Sequence, residues 1–592
     1  MVDCVSELHA VMLGCGYKYL TIKQRKKHKA LCSIAEKYPV YLKEFSTSEG
    51  IFTIALEINY DVYTILPWAH IISKPSQFDD MLLPHVNNSG NLCYVEQMEA
   101  DWDPNDLGNL YRTIDRQIQS TLDNSIESLK NGKVDQIELE GEFVSYWKAE
   151  RLTYALTDLN SLSGEVAYLT RNTTMDGSKR TESLLFGFQD KDIQEKWLSQ
   201  RSLEETVSRK LNIFCLTVRP TKLSGVHWPP KDAKALFQWL SKVDHNAKAH
   251  LVQYFVGHPT TKHHLIVLNV DKQDTFGVVL ELNLKAVQFT TYANPRKKGK
   301  GTRKLDLERA SSVLMGKFAF NKFQRIAFEK SDKDTILSRN RSRPEIGDLR
   351  AKRIALIGCG TIGGYLAELL IRAGAGMGTK SLDLYDHDTY GPHNFGRHTL
   401  SSRDFGKHKA VALKDRLIDS THLTANVEAH KYGFPIMKSF LSHYDIVIDA
   451  TGRGPVSKRL AKVIRQIDTK DRPIIVHGFN DGNGIASKVF IDSSDGCYNC
   501  LCSDPAFYKN GIDIRFEKLL DVNQKKVSCG NTYTPYDAAV SVMTAALIQE
   551  AVLSTLEHER DWNYKEHIFM GSRTKRPTWI KKQDFCNICN GR

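Results

Sequence analysis

The sequence predicts a globular chain of mixed α/β class, in which a parallel sheet covered by helices near the C-terminus follows two α+β regions. A buried strand leads into a glycine loop and a helix just after residue 352, and three short strands separated by turn residues lie within the first seventy residues. The 592 residues fit two to four domains, and 41% hydrophobic and 25% charged residues are ordinary globular values. We expect three domains, over residues 1–150, 151–335 and 336–592.

Charge and hydropathy exclude several classes of protein. Lys and Arg outnumber Asp and Glu by 81 to 69, and a net charge of +12 over this length does not indicate a nucleic-acid partner. The longest apolar stretch, residues 538–548, has only eleven residues, whereas a membrane span needs about 20. The N-terminus shows no signal-peptide pattern, so we expect a cytoplasmic protein without disulfide bonds.

The clearest motif is a glycine loop between a strand and a helix. Residues 353–357 are a short apolar run typical of a buried parallel strand, and Gly358, Gly360 and Gly363 follow in the pattern G-x-G-x-x-G. The glycines allow a tight turn, so that amides at the helix N-terminus can meet phosphate oxygens. A second strand ends at Asp386, an acid placed to accept hydrogen bonds from ribose hydroxyls. On these residues alone, a Rossmann fold that binds NAD or FAD is the leading interpretation.

The residues after Asp386 favour an enzyme that cleaves ATP. Asn394, Arg397 and Lys409 follow that acid, and a further strand ends at Asp449. Arginine and lysine neutralise phosphate charge, and a carboxylate at a strand end can hold Mg²⁺. A dehydrogenase has no triphosphate to bind, so this series indicates an adenylating enzyme.

In this order, the motifs resemble the ThiF/MoeB and ubiquitin-activating family, whose pattern is G-x-G-x-x-G, D-x-D-x(5)-N-x-x-R, G-x-x-K and an Asp-ended strand. The resemblance covers roughly residues 339–592. It implies that Asp386 binds ribose and that Asp449 holds magnesium. It also implies that Asn394, Arg397 and Lys409 handle the phosphates of ATP, and we expect Arg397 to be catalytic.

The same resemblance implies a homodimer. The family places an arginine-rich segment just before the first strand, where it reaches into the nucleotide site of the partner subunit. Arg339 and Arg341 occupy that place in this chain. We therefore expect both arginines to contact ATP bound to the other subunit.

Six of the twelve cysteines lie in the last hundred residues, and four of these form two CxxC pairs. Cys497 and Cys500 precede Cys586 and Cys589, with 85 residues between the pairs. Four thiolates fit tetrahedral Zn²⁺, and the ThiF/MoeB resemblance implies such a site that fastens the chain terminus to the domain. Because four protein ligands leave no open position, this zinc should be structural.

Cys529 is the candidate nucleophile of the C-terminal domain. It precedes a helix predicted over residues 537–556, and Lys525 and Lys526 are close in sequence, two features that lower the pKa of a thiol. The resemblance implies that this cysteine captures the acyl group of the adenylate as a thioester. The alternative is a buried core thiol. Cys502 is a competing nucleophile or a spare thiol near the zinc pair, and Cys359 in the glycine loop is expected to serve packing.

The N-terminal region combines a predicted antiparallel meander with a polar loop and an amphipathic helix. The strands are expected at residues 39–45, 51–58 and 62–66, and the helix begins near residue 107. Between them, the loop contains His85, Asn87 and Cys93.

This arrangement resembles the ubiquitin-conjugating fold, whose pattern is H-P-N followed by G-x-(I/L)-C. The resemblance implies that Cys93 accepts the acyl group by transthiolation, and that His85 and Asn87 belong to the same active site. Val86 replaces the proline, and the distance from His85 to Cys93 is two residues shorter than usual. Asn88 could therefore serve in place of Asn87. An inactive, conjugating-like binding module with a core cysteine is the alternative.

The middle region shows no catalytic motif. Strands are expected at residues 211–218, 264–270 and 277–282, with a helix at 232–243, so we expect an α+β domain that connects the two active ends. The basic runs 23–29 and 296–304 are expected to be solvated surface, and binding of nucleic acid by either is not expected.

Together, the two halves resemble the fusion ligases of bacterial CBASS anti-phage systems. The resemblance implies that ATP-Mg²⁺ adenylates the C-terminus of a cyclic-oligonucleotide synthase, that Cys529 and then Cys93 carry the acyl group, and that a lysine on a target protein receives it. Two other functions stay open from the residues alone. One is adenylation for sulfur transfer in cofactor synthesis, and the other is nucleotide-dependent regulation without conjugation.

Overall fold

The structure of the chain, a computed structural model, contains two compact units. It describes residues 2–58, 64–79, 83–87, 90–96, 100–130, 145–175, 178–201, 208–219, 228–270, 275–287, 307–339, 341, 347–519, 525–528, 531–557 and 559–590. The first unit comprises Met1–Gln189 and Thr206–Ser331, and the second comprises Asp190–Glu205 and Asp332–Arg592. The division into three domains stays a prediction.

The first unit begins with an antiparallel five-stranded sheet in sequential order. Its strands are β1 (Lys18–Tyr19), β2 (Val40–Thr47), β3 (Gly50–Glu57), β4 (Trp68–Ser73) and β5 (Asn91–Leu92). The helices of this region are α1 (Val2–Gly14), α2 (Ile22–Arg25) and α3 (Leu107–Lys130). Apolar residues of α1 and α3 share one core with Phe52, Leu56 and Ala69 of the sheet, which confirms the predicted amphipathic helix.

The predicted position of the third meander strand is wrong. We expected it at residues 62–66, but 64–66 are irregular, 62 and 63 lie outside the described residues, and β4 begins at Trp68. The cause is register, because Leu56 pairs with Ala69 and this pairing turns both side chains into the same core. The apolar run at 62–66 has strand propensity, but its described residues, 64–66, do not pair with β3.

The rest of the first unit is a closed seven-stranded barrel, in the order β10-β11-β12-β6-β8-β7-β9. Its strands are β6 (Arg151–Ala155), β7 (Gly164–Met175), β8 (Ser178–Phe186), β9 (Ser208–Val218), β10 (His263–Val270), β11 (Thr275–Leu282) and β12 (Phe320–Lys330). Leu265 and Val267 of β10 lie in one core, whereas Ile266 and Leu268 lie in a second core with the neighbouring helices. Burial on both faces explains the unbroken apolar run of this strand.

The helices of that second core are α5 (Ala233–Val243), α6 (His245–Gly257) and α7 (Leu307–Leu314). Asp232 caps α5 by accepting a hydrogen bond from the backbone amide of Ala235, so the predicted helix is confirmed. The three strands predicted in the middle region also lie within β9, β10 and β11. The predicted α+β content is therefore correct, but the closure of the barrel was not anticipated.

The second unit is built on a seven-stranded sheet in the order β15-β14-β13-β16-β17-β18-β23. Its strands are β13 (Ile354–Ile357), β14 (Leu382–Tyr385), β15 (Val427–His430), β16 (Ile446–Asp449), β17 (Ile474–Asp481), β18 (Ala486–Asp492) and β23 (Tyr564–Ile568). The first five in spatial order are parallel, and β18 and β23 add an antiparallel edge. The predicted Rossmann-like sheet is present.

The described helices of this unit are α4 (Lys191–Gln200), α8 (Lys333–Ser338), α9 (Thr361–Arg372), α10 (Lys409–Asp419), α11 (Lys438–Leu441), α12 (Gly454–Ile464), α13 (Tyr498–Ser503) and α14 (Ala538–Ser554). The short strands β19 (Tyr508–Lys509), β20 (Ile512–Asp513), β21 (Lys525–Ser528) and β22 (Asn531–Tyr533) form two hairpin ladders. Helices α9 and α14 pack on the sheet in the main apolar core, which positions the N-terminus of α9 beside the glycine loop.

Candidate active site

The glycine loop leaves β13 and enters α9 through backbone contacts that exclude side chains. Gly358 has φ +91°, and a Cβ on Gly363 would lie 1.9 Å from the carbonyl oxygen of Gly358. Gly360 is the N-cap of α9, and no atom lies within 4 Å of the position its Cβ would take. Two glycines therefore close the turn, whereas the third leaves space open at the helix N-terminus, where a phosphate would bind.

Asp386 follows the adjacent strand β14 and holds the glycine loop in place. Its Oδ2 accepts a hydrogen bond from the backbone amide of Cys359 at 2.7 Å, and its Oδ1 accepts one from the amide of Asp388 at 2.8 Å. Cys359 is fully buried in the core, as its expected packing role requires, and burial raises the pKa of its thiol. The structure thus brings Asp386 to the loop that it was expected to serve.

Lys409 lies next to this carboxylate pair. Its ammonium group contacts Oδ2 of Asp388 at 3.0 Å, and its backbone amide donates to the carbonyl oxygen of Asp388. Partial burial favours the neutral form of Asp388, but the hydrogen bond from Lys409 lowers the pKa of that carboxyl overall. The lysine begins α10 and is largely buried, so it is a fixed positive charge near the nucleotide loop.

Asn394 and Arg397 lie on the 3₁₀ turn Pro392–Arg397. Oδ1 of Asn394 accepts a hydrogen bond from the backbone amide of Gly391 at 3.0 Å, which shapes the turn. The guanidinium of Arg397 lies 4.6 Å from the ring centroid of Tyr536. This contact connects a predicted phosphate-binding residue to the segment that leads into α14.

Asp449 is the last residue of β16, and both of its carboxylate oxygens accept hydrogen bonds from the protein. Oδ1 accepts hydrogen bonds from the amide and hydroxyl of Thr451, and Oδ2 accepts from Ser457 at 2.6 Å and from Nδ1 of His477 at 3.0 Å. Burial alone would raise the pKa of Asp449, but the bonds from His477, Ser457 and Thr451 lower it overall. This geometry supports a structural role under the loop and gives no direct support to a magnesium ligand.

The two arginines expected to act in trans lie at the end of α8. Arg339 is the C-cap of that helix and is exposed. Arg341 forms a short ion pair with Asp348 of its own chain. Both residues lie ahead of β13, as the sequence indicated, and their role toward a partner subunit stays a prediction.

Four cysteines converge at the other end of the sheet. The sulfur atoms of Cys497, Cys500, Cys586 and Cys589 all lie within 4.8 Å of one another. Three of their sulfur–sulfur distances are 3.6 to 3.7 Å. Tetrahedral zinc with Zn–S bonds of about 2.3 Å requires separations of about 3.8 Å, so the donor set and its size fit this ion. Cys502 does not belong to the cluster, and burial raises the pKa of its thiol.

The second predicted nucleophile, Cys529, lies outside the described residues. The flanking strands β21 and β22 pair in antiparallel fashion, with Ser528 opposite Asn531. The helix predicted at 537–556 is observed as α14, which begins at Ala538 with Asp537 as its N-cap. The helix after the thiol is therefore confirmed, and the role of Cys529 stays a prediction.

Cys93 directly follows β5 and its thiol is exposed. Its backbone amide donates to the carbonyl oxygen of His85 at 2.6 Å, and His85 has a positive φ of 61°. Asn87 accepts a hydrogen bond from the amide of Asn91 through Oδ1, so it braces the turn before β5. The structure brings His85, Asn87 and Cys93 together, whereas Asn88 lies outside the described residues.

Comparisons with known proteins agree with the family resemblances predicted for the N-terminal and the C-terminal regions. Residues 15–156 match Prokaryotic E2 family B, and residues 335–587 match the ThiF family. The protein named ATP-dependent ubiquitin transferase-like protein Cap2 from Vibrio cholerae is 45% identical over 586 residues, which is 99% of each chain. Its namesake from Escherichia coli is 44% identical over 589 residues, covering 98% of this chain and 99% of the relative. The chain belongs to the Cap2 family.

Membership in the Cap2 family confirms the class of enzyme. The chain is an ATP-dependent transferase of the ubiquitin-activating and ubiquitin-conjugating type, with a ThiF region for adenylation and an E2-type region before it. The predicted resemblances and the mixed α/β fold class are confirmed as well. Among the described residues, no helix is both long and apolar enough to cross a membrane.

One residue beside the candidate site of this Cap2 family member, His477, was not predicted from the sequence. His477 lies on β17, fully buried, between Asp449 and Asp492. Burial lowers its pKa, but the hydrogen bond with Asp449 and the nearby carboxylate of Asp492 raise it overall. A histidine inside an otherwise apolar strand, next to a strand that ends in aspartate, was the available signal.

A second missed feature is a buried ion network below the hairpin β19–β20. The ammonium of Lys488 lies 2.6 Å from carboxylate oxygens of both Asp481 and Asp513, and it has no exposed surface. Arg515 pairs with Asp513 and with Glu566 of β23. These ion pairs hold the hairpin β19–β20 on the antiparallel edge of the sheet. In the sequence, this hairpin precedes the segment that contains Cys529.

Proposed function

We propose that this enzyme activates the C-terminal carboxylate of a protein and joins it to lysines of target proteins. The observation that carries the proposal is the exposed thiol of Cys93 in an E2-type region of a chain that also contains a ThiF glycine loop. A nucleotide site alone would support regulation or sulfur transfer. An exposed thiol in a conjugating region adds a place for a covalent acyl intermediate.

In the first step, the substrate carboxylate attacks the α-phosphorus of ATP and pyrophosphate leaves. The glycine loop at Gly358, Gly360 and Gly363 offers helix N-terminal amides to phosphate oxygens, and Asp386 holds the ribose. Asn394, Arg397 and Lys409 neutralise and orient the phosphates, so that the charge developing on the leaving pyrophosphate is stabilised. Arg339 and Arg341 of the partner subunit complete this site in a homodimer.

Magnesium is expected to accompany ATP and to neutralise phosphate charge. Asp449 does not fit the ligand role that the resemblance implied, because both of its oxygens already accept two hydrogen bonds and the side chain is buried. We therefore assign it to the support of the loop and derive no step through the ion. Zinc, in contrast, fits its four cysteines, where it would anchor the C-terminus without taking part in the reaction.

In the later steps, the thiolate of Cys529 attacks the acyl-adenylate and AMP leaves. The thiolate of Cys93 then takes the acyl group by thioester exchange, and a lysine amine forms an isopeptide bond. His85 and Asn87 support the Cys93 turn through its backbone. Each thioester keeps the acyl group activated, so that no further ATP is needed.

We propose a cytoplasmic protein of a CBASS anti-phage system, with its cyclic-oligonucleotide synthase as the activated substrate. The support is the full-length similarity to the two Cap2 proteins and the CBASS resemblance of the sequence, whereas no described residue selects a particular C-terminal tail. Neither nucleic acid nor a membrane is proposed as a partner.

Intact-mass measurement after mixing with ATP-Mg²⁺ and a candidate synthase tests this function. We expect a substrate adduct that resists reduction and is lost in Cys93→Ala and in Cys529→Ala, with Cys502→Ala as the matched control that keeps it. A substrate thiocarboxylate formed equally well in Cys93→Ala would instead establish sulfur transfer. Absence of pyrophosphate release with every candidate substrate would favour a regulator.

A further inference from the structure

We propose that His70, held by Glu57, is the catalytic base that takes a proton from the lysine amine attacking the thioester on Cys93. The inference rests on the proposed function, because it assigns a residue to the last step of that reaction. It comes from the outer face of the five-stranded sheet, which carries a histidine–carboxylate pair close to the thiol.

Cys93 points away from the core of the sheet. Leu92 and Tyr94 on either side of it are buried in the core formed with α1 and α3, whereas the thiol between them is exposed. Side chains alternate between the two faces of an extended segment. The thiol therefore projects from the outer face, on the side opposite those helices.

Trp68 of β4 lies across from Cys93 on the same face. Ala69 pairs with Leu92, and the hydroxyl of Tyr94 donates to the carbonyl oxygen of Pro67 at 2.7 Å, so the two chains run side by side on both sides of Trp68. The indole is 46% exposed between buried neighbours, and it therefore also projects outward. A broad aromatic surface next to the thiol would cover the alkyl chain of an incoming lysine.

His70 lies two residues further along β4 on this outer face, opposite Asn91. Its Nε2 lies 2.8 Å from Oε2 of Glu57, which is the β3 partner of Trp68. In the tautomer whose Nε2–H donates to this carboxylate, the other ring nitrogen, Nδ1, carries the lone pair that can accept a proton. Diagonal neighbours on one sheet face are about 7 Å apart at Cβ, and 13% of the His70 side chain is exposed, so we infer that an amine bound at Cys93 meets the exposed part of this ring.

Asn91 adds a polar acceptor at the same place. Its Oδ1 is buried and accepts no hydrogen bond within the described chain. A donor that arrives between His70 and Cys93 would satisfy this oxygen, and an ammonium group has three N–H donors. The outer face thus combines acceptors for a protonated amine with a base that can remove its proton.

The chemistry of the step balances as follows. Formation of an amide from an ammonium and a thioester releases two protons. The first passes from the ammonium to Nδ1 of His70 and then to solvent, and the neutral amine attacks the thioester carbonyl carbon. The carbon–sulfur bond breaks with its electron pair on Sγ of Cys93, and the second proton, lost from the nitrogen, neutralises the departing thiolate.

The test isolates this step from ATP and from the unidentified substrate. The full-length protein is loaded on Cys93 with a glycyl-glycine peptide thioester of mercaptoethanesulfonate, with Cys93→Ala defining the signal of other thiols. Loaded protein is then discharged with free lysine or with hydroxylamine and followed by intact mass. Hydroxylamine is largely unprotonated at neutral pH, so it depends less on a protein base.

For His70→Gln we expect normal loading, discharge to lysine slowed about a hundredfold, and discharge to hydroxylamine slowed far less. Glu57→Gln should show the same nucleophile dependence with about a tenfold loss, as a positioning residue would. His9→Gln, which alters a half-buried histidine bonded to Tyr41 in the same unit, is the matched control and should behave as wild type.

Equal slowing with both nucleophiles, or unchanged discharge to lysine, would overturn the role of His70 and leave the proposed function standing. Failure of the wild-type protein to form any thioester on Cys93 would overturn both. Should His70→Gln not fold, the nucleophile dependence of Glu57→Gln decides, because a purely structural loss would slow both amines alike.

Discussion

The imidazole of His477 donates a hydrogen bond through Nδ1 to Oδ2 of Asp449, and the two atoms lie 3.0 Å apart. On the other side of the ring, Nε2 lies 3.9 Å from Oδ2 of Asp492. The same Oδ2 of Asp492 accepts a hydrogen bond from the backbone amide of Tyr498, between the first two cysteines of the metal cluster. One buried histidine therefore connects the strand end below the nucleotide loop to the cysteine cluster.

Replacing His477 with leucine should strongly destabilise the second unit. The change removes the hydrogen bond that Nδ1 makes to Asp449 and the imidazole beside Asp492, and leaving a buried carboxylate without its partner costs about 1 to 3 kcal/mol. Denaturation in urea measures the loss, and pyrophosphate release should fall at temperatures where the variant is folded. His443→Gln, at an exposed histidine, should change neither quantity, and an equally stable His477→Leu protein would contradict the assignment.

Two glycines of the same loop should respond differently to alanine. The Cβ of Gly363→Ala would meet the carbonyl oxygen of Gly358, so we expect a lower melting temperature and no ATP binding. The Cβ of Gly360→Ala meets nothing within 4 Å, so its melting temperature should stay unchanged. ATP affinity of the second variant should still fall at least tenfold, because the methyl group would occupy the space at the helix N-terminus. Normal ATP binding by Gly360→Ala would show that no phosphate of ATP binds at this position.

Metal analysis tests the cysteine cluster. The purified protein should contain about one equivalent of zinc, and Cys586→Ser should lose it together with part of its thermal stability, because structural zinc contributes directly to folding. Cys502→Ser is the matched control, since this thiol is near the cluster but outside it. Metal that persists in Cys586→Ser would show that the four-cysteine site is wrong.

The barrel should lose stability in mild acid because of His264. Its Nε2 contacts the carbonyl oxygen of Thr261, its Nδ1 contacts the hydroxyl of Tyr254, and burial lowers the pKa from 6.5 to about 4. Between pH 6.5 and about pH 4, His264 is therefore protonated in the unfolded chain but not in the folded chain. The stability of the folded state consequently falls as the pH falls through this window. The loss amounts to at most about 3 kcal/mol.

Urea denaturation at pH 7 and pH 4.5, followed by tryptophan fluorescence, measures this effect. His264→Gln should be less stable at pH 7 but should show a smaller difference between the two pH values. His250→Gln, at an exposed histidine of the same unit, should keep the full pH dependence. An unchanged dependence in His264→Gln would mean that other groups cause the acid sensitivity.

The sequence was most informative where structure is local. Gly358, Gly363 and Asp386 lie within one strand–turn–helix–strand unit, so their contact follows from short-range geometry. The CxxC pairs were equally readable, because each turn places two sulfur atoms together before any tertiary contact forms.

The features that were missed depend on long-range pairing. The barrel closes through parallel pairs such as Ile326 with Arg151, which are far apart in sequence and leave no local periodic signal. Likewise, the partners of His477 come from two other strands, β16 and β18, so its charge environment exists only after the sheet has formed. The strand expected at 62–66 failed for the same reason, because pairing with β3 rather than propensity placed β4 at Trp68.

The four-cysteine cluster has a consequence for the integrity of the chain. A metal ion bound there would join residues 497–500 to residues 586–589 and enclose the 85 residues between the pairs in a covalent and coordinate ring. A protease that cut once inside this ring would produce two fragments that stay associated until a chelator removes the metal. Nicked protein would then migrate like the intact chain under native conditions and would separate only after the metal is removed. The ion would therefore hold the two fragments of the ThiF region together.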